Sequence, residues 1–246
     1  MPPSRHAARP ATRIRTLGGL CLLALLWTTT TVATGLQVSP TTVVIAAERQ
    51  AEGLLLHNQG SRVLQAQVRV FAWSQDDGED RLSPTGALVP SPPMLTLAPG
   101  QEQLVRVVRT GPPPSSEVAY RLIVDELPDP PSPTQQGLRL LLRYSIPVFL
   151  QPPLSTGVPQ SDLRARLVVE DGQHRLELHN AGAGHAQVAD LKYVTSSRST
   201  DLAPGLAGYV LPGQRRRWPL PAGLGGGDFR ARINGEPVER TLPLDR

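Results

Sequence analysis

A chain of 246 residues, 39% hydrophobic, is long enough for two domains of about 100 residues, each with its own core. Only 4% of the residues are aromatic, while 26 are proline and 22 glycine, which suits short strands and frequent turns better than long helices. The net charge of +4 is matched by Arg5, Arg9, Arg13 and Arg15, all ahead of the first acidic residue. The remaining chain balances and lacks the positive charge of a nucleic-acid-binding surface.

Residues 1–35 read as an export signal. The basic start is followed by the apolar run "LGGLCLLALLW" and the small residues of "TTTTVATG", which predict cleavage after Ala33 or Gly35. The run is short for a membrane span, so no stable insertion is expected once it is removed; an uncleaved anchor is the alternative. Cys21 falls inside this leader behind Leu20, where a lipoprotein signal needs a small residue. Cleavage leaves a chain without cysteine, which must hold its fold by hydrophobic packing alone even in an oxidising compartment.

From Leu36 the chain reads as a succession of strands: "LQVSPTTVVIAA", bent at Pro40, then "EGLLLHN", "VLQAQVRVFAW", two strands around Pro99 and Gly100, "EVAYRLIVDELP", and a final stretch after the proline-rich "PDPPSPTQQG". The segment "SQDDGEDRLSPTG" reads as a loop between them. About seven alternating strands without a helical period predict an immunoglobulin-like sandwich over residues 36–152, with Trp73 as packing. "QPPLSTGVPQ" reads as an elbow, and a second, smaller β set follows over residues 153–246. The turn "NAGAG" echoes "NQGS" of the first set. The predicted fold is all-β, two immunoglobulin-like β-sandwich domains joined at an angle.

No motif of an active site is present. There is no G-x-S-x-G elbow, phosphate-binding glycine loop or H-E-x-x-H helix, so neither an enzyme nor a cofactor is expected. His174, His179 and His185 are too loosely spaced for a metal site, and Asp76, Asp77, Glu79 and Asp80 lack the closing glutamate of a calcium loop. Both sets read as solvated or structural groups. Arg215, Arg216 and Arg217 read as a charged strand end.

Binding is what remains, and "GLRLLLRYSIPVFLQ", Gly137 to Gln151, carries the signal for it. Leu138, Leu140 and Leu142 share one face at period two, while Leu141 lies on the other with Arg139 and Arg143. One apolar face is enough to bury a strand, and an exposed apolar edge invites another chain to pair with it. The stretch is therefore a candidate for β-augmentation. The alternative is that its leucines only complete the protein's own core, a role open to Leu141 and Val148 in either case.

The chain resembles the periplasmic chaperones of the chaperone-usher pathway, and within them the archaic branch. The resemblance runs from Leu36 to the C-terminus. It rests on "LQVSPTTVVI", "AQVRVFAWSQDDGED", "LVPSPPMLTLAPGQEQLVRV", "YRLIVDELP" and "LRYSIPVF" in the first domain, and less strongly on "HRLELHNAGAGHAQV" and "GYVLPGQ" in the second. It implies a periplasmic protein whose partners are pilus or fimbrial subunits and an outer-membrane usher. A pilus subunit is an immunoglobulin-like domain lacking its last strand, and the chaperone's seventh strand fills the gap. Here that role would fall to Leu138, Leu140 and Leu142, with Tyr144 as a fourth. Better-known members also grip the subunit's terminal carboxylate with an arginine on the first strand and a lysine near the end of the seventh. Those positions align with Thr42 and Pro147, which cannot do so. An antiparallel sixth strand would bring Arg121 beside the end of the seventh, where the domains meet, and the archaic relatives imply the same arginine as substitute anchor. Arg106, Arg109 and Arg143 compete for that role. A secreted immunoglobulin-like adhesion or scaffold module is the rival reading of the whole chain.

Overall fold

The computed structural model describes residues 35–128, 140–153, 155, 157–222 and 226–245. Residues 1–34 of the stretch expected to be an export signal, and Leu138, lie outside them. The described residues contain strands and no α-helix. Those of the first sandwich are β1 (Leu36–Ser39), β2 (Val43–Ile45), β3 (Ala51–Asn58), β4 (Leu64–Asp76), β5 (Glu79–Pro84), β6 (Leu88–Ser91), β7 (Met94–Leu97), β8 (Glu102–Arg109), β9 (Val118–Glu126) and β10 (Arg143–Leu150). One sheet has the order β1-β3-β8-β6; the other runs β2-β10-β9-β4-β5, with β7 also beside β4.

Alternation builds these sheets. On β4, Leu64, Ala66, Val68 and Val70 turn inward and are buried, while Gln65 and Arg69 face out. Leu54, Leu56, Val105, Val107, Leu122 and Val124 meet them in one core. After Ser39 the chain changes sheets: β1 pairs with β3, whereas β2 runs parallel to the end of β10. The acidic segment expected as a loop is instead a hairpin. Asp77 and Gly78 adopt φ of 48° and 82°, the left-handed pair that a tight two-residue turn between twisted strands requires, and β5 folds back along β4 from there.

The second sandwich comprises β11 (Leu163–Glu170), β12 (Gln173–Asn180), β13 (Ala186–Val194), β14 (Ser199–Val210), β15 (Arg215–Pro219), β16 (Asp228–Ile233) and β17 (Arg240–Leu242). Its sheets have the orders β11-β12-β15 and β14-β13-β16-β17. They enclose a separate core around Leu176, Leu178, Val188, Leu191, Trp218 and Phe229.

The two sandwiches share one device. In the first, the Asn58 side chain donates to the carbonyls of Arg62 and Leu97 and accepts from the Gly60 N–H. In the second, Asn180 donates to Gly184 and Val210 and accepts from Gly182. Each asparagine then meets a Pro-Gly-Gln turn: Gly100 N–H donates to the Asn58 carbonyl and Gly213 N–H to that of Asn180, both at 2.8 Å. Both glycines have φ of 72°, which is why that position is glycine. The repeated "PGQ" and the echo between "NQGS" and "NAGAG" thus have one physical origin.

Candidate functional site

The apolar row of β10 starts inside the first core and runs out of it. Ile146, Val148 and Leu150 are buried there. Tyr144, next along, packs partly against the same core, and its hydroxyl donates to the Leu36 carbonyl. Two residues further, Leu142 is 37% exposed, and beyond it Leu140 is 75% exposed. Leu141, which the sequence leaves open as a core residue, is exposed as well, whereas Val148 is fully buried. Leu141 precedes the strand and stays exposed, so of the two the core role falls to Val148.

The backbone around this row is paired on one side only. β9 accompanies β10 along all of Arg143–Leu150, but β2 covers the opposite edge only at Val148, Phe149 and Leu150. Glu126 N–H donates to the Leu142 carbonyl at 2.9 Å, in register with Arg143 opposite Asp125. Even-numbered residues therefore turn their amides toward β9. Leu141, Arg143, Ser145 and Pro147 turn theirs to the edge that no described strand covers. Proline is tolerated at such an edge because it has no N–H to leave unpaired.

Pro147 lies opposite Arg121, and Arg121 opposite Phe71 of β4. Odd-numbered side chains of these strands face away from the first core, and at this end the second sandwich covers them: Trp73, Ala119 and Phe149 form a buried cluster with Tyr209 and Leu211. Trp73 is thus packing, at the junction of the two sandwiches. The Arg121 guanidinium carbon lies 3.6 Å from the centroid of the Trp73 ring and 5.2 Å from that of Tyr209, a stacking arrangement that suits its flat, weakly hydrated cation. Its side chain is 13% exposed, and its nearest carboxylate oxygen, Asp80 Oδ2, stands 3.9 Å away. That is beyond hydrogen-bond reach, so among the described residues this guanidinium makes no side-chain hydrogen bond. Burial pushes its pKa below the usual range, with Asp80 and Tyr209 pulling it up and Arg216 pushing it further down. A desolvated cation with unused donors is a site for an anion.

The competing arginines lie elsewhere. Arg106 and Arg109 belong to β8 in the other sheet, where buried Arg109 donates to the Ala47 carbonyl at 3.1 Å. Arg143 is on the same sheet face as Arg121 but four residues from Pro147, about 13 Å along the strand. It pairs there with Asp125, which also takes Arg69 at 2.5 Å. Burial pushes the Asp125 carboxyl up, but hydrogen bonds from Arg143 and Arg69 outweigh this and hold it below the ordinary carboxylate range.

Several junction residues carry no sequence signal of their role. Gln75 donates from Nε2 to the Tyr209 carbonyl at 2.8 Å and to Asp80 Oδ1 at 2.9 Å, and accepts at Oε1 from the Leu211 N–H at 2.9 Å. His185 stacks on Phe149 at 3.5 Å between centroids, and its N–H donates to Glu117 at 2.6 Å. The arginine triplet and the acidic hairpin, read separately as solvated charge, face each other: Arg217 reaches Asp77 at 3.1 Å, and Arg216 reaches Asp80 at 3.5 Å. The Asp-Gly hairpin signal could have placed the acidic side chains at a turn; their partners lie more than a hundred residues away and leave no trace in local sequence.

Residues 35–155 match the family of pili and flagellar-assembly chaperones, PapD N-terminal domain. No curated protein matches the chain in sequence. Among solved structures, a chain of the CsuC-CsuE chaperone-tip adhesion subunit pre-assembly complex, from the archaic chaperone-usher Csu pili of Acinetobacter baumannii, is 24% identical with a TM-score of 0.72, over 86% of this chain and 100% of that one. The SafA pilin complex with the SafB chaperone of Salmonella enterica gives 21% identity and a TM-score of 0.61, over 85% and 96%. The E. coli chaperone DraB gives 21% and 0.60, over 86% and 98%. These likenesses establish the two-sandwich fold across both domains.

Proposed function

From a first domain that belongs to the PapD-type pilus-assembly chaperones, we propose that this chain is a periplasmic chaperone that captures pilus subunits by donor-strand complementation and passes them to an outer-membrane usher. The observation that carries the reading is the edge of β10. Its pairing groups at Leu141, Arg143 and Ser145 meet no described strand, and the apolar row beside them leaves the core at Leu142 and Leu140. A subunit lacking its last strand needs both backbone partners and side chains to fill an empty groove. Leu138, Leu140 and Leu142 fill successive pockets; full burial of an exposed leucine contributes about 1.5–3 kcal/mol, and Leu142, already largely covered in the free protein, contributes less than Leu140. Tyr144 stands where the row passes from the protein's own core to the client's. Arg121 receives the client's terminal carboxylate through two parallel hydrogen bonds and so sets the register of the added strand. Two similar structures, a chaperone with a tip adhesion subunit and a chaperone with a pilin, support the same class of partner.

Co-expression with the proteins encoded by neighbouring genes, followed by affinity purification, tests the reading. A subunit should co-purify with the wild type and be lost with Leu140→Glu, which stays soluble because Leu140 is exposed in the free protein but puts an unpaired carboxylate in an apolar pocket of the complex. Unchanged co-purification of Leu140→Glu would remove the strand from the mechanism.

A further inference from the structure

Asp80 is held at the domain junction by groups from both sandwiches. Its Oδ1 accepts from Gln75 Nε2 at 2.9 Å and lies 3.5 Å from Arg216 NH1, while Oδ2 faces Arg121 NH2 at 3.9 Å. Arg216 reaches it across β14 at Gly208: a Cβ there would stand 2.9 Å from Arg216 Nε and 3.0 Å from Cζ. The site is therefore a carboxylate cage with two guanidiniums and an amide, and the carboxylate inside it is the protein's own. Only one of its cations, Arg121, is left without a hydrogen bond among the described residues. Asp80 is already satisfied through its other oxygen.

We propose that Asp80 is a built-in competitor for the carboxylate site: it stands beside Arg121 in the unloaded chaperone, and its charge limits how tightly Arg121 grips a client's terminal carboxylate. The inference rests on the reading of Arg121 as the anchor. When the client's carboxylate forks onto Arg121, Asp80 stays with Gln75 and Arg216, a few ångströms from the incoming charge. Two carboxylates so close repel each other, and Arg216 offsets part of that repulsion. The arrangement gives a grip that specifies the chain end yet releases it, as delivery to a second protein requires. Arg216 is then a positioning residue from the second sandwich, which keeps Asp80 from closing the last gap to Arg121.

The test needs no natural client. Acetyl-tetraalanine with a free carboxylate, and its carboxamide, are titrated into the nitrogen-15-labelled mature protein while the indole N–H of Trp73 is followed. That group is buried without a hydrogen-bond partner and its ring lies under Arg121. The free acid should bind weakly to wild type and the amide not at all, and Arg121→Ala should lose the binding. Asp80→Asn should tighten it about tenfold, a fraction of what one charge at about 4 Å contributes near a protein surface. Asp77→Asn, which removes the same charge from the same hairpin but faces Arg217, should change it by less than about twofold. The inference falls if Asp80→Asn binds no tighter than wild type, if Asp77→Asn tightens binding equally, or if neither wild type nor Asp80→Asn binds the acid. If Arg121→Ala binds as well as wild type, the anchor itself is misplaced; if it loses binding and Asp80→Asn gains none, the anchor stands and the competitor does not.

Discussion

Arg121, half-buried, and Glu177, fully buried, are two charges with opposite needs. Arg121 is stacked and desolvated with donors to spare, so its substitution should cost binding more than folding. Arg121→Ala should weaken subunit capture at least about tenfold, and Arg121→Lys should recover only part, since an ammonium cannot make the two parallel bonds of a guanidinium; a co-purification titration reads both. Glu177, fully buried, is saturated: Arg166 Nε reaches it at 2.7 Å and Arg217 Nε at 2.8 Å. Burial pushes its carboxyl up, but the hydrogen bonds from Arg217 and Arg166 win and leave it below the ordinary range. A carboxyl depressed in the folded state stabilises it above the unfolded pKa of about 4.3, and that contribution is lost as pH falls through the folded value. Wild-type stability should therefore drop on acidification below about pH 5. Glu177→Gln should be less stable at neutral pH by about 1–3 kcal/mol and show a shallower acid limb in denaturant unfolding. The place of Arg121 follows from an antiparallel sixth strand together with the family resemblance, whereas the role of Glu177 leaves no trace in the sequence beyond its charge, because it depends on which strands become neighbours.

At the scale of elements, the strands were legible and their edges only partly so. Alternation and turn residues predict β3 and β9 nearly to their ends, since one face of each must be buried and the period shows it. "SQDDGED" misleads as a loop because β5, exposed at every position, shows no alternation that would mark it as a strand. The extra leucines ahead of Arg143 announce a strand with more apolar surface than its own sandwich can cover, but that β2 stops short of Ser145 is a property of pairing, visible only in the fold. This geometry yields a specific outcome for Ser145→Pro. The lost N–H faces the open edge and leaves the β9 ladder intact, so the free protein should keep its strand content by circular dichroism. One hydrogen bond to an added strand would vanish, and with it about tenfold in subunit affinity by competition binding. Equal affinity would mean that nothing pairs at that edge.

Across the whole molecule, the two sandwiches are joined by a small aromatic cluster framed by directed polar contacts. Trp73, Phe149 and Tyr209 pack together, Gln75 clamps the β14 end, and the acidic hairpin meets the arginine triplet. This junction places Arg121 at one end of β10 and leaves the exposed leucines at the other, so that one client strand can be held by its terminus and its side chains together. Hydrogen exchange, followed amide by amide in the free protein and in a complex with a co-expressed pilus subunit, tests that arrangement most directly. The amides of Leu141, Arg143 and Ser145 should exchange rapidly in the free protein and become protected in the complex, while those of Tyr144 and Ile146, already paired with β9, change little. If a subunit is bound and the Leu141, Arg143 and Ser145 amides still exchange as in the free protein, the client is held by some other surface and donor-strand complementation at β10 is wrong.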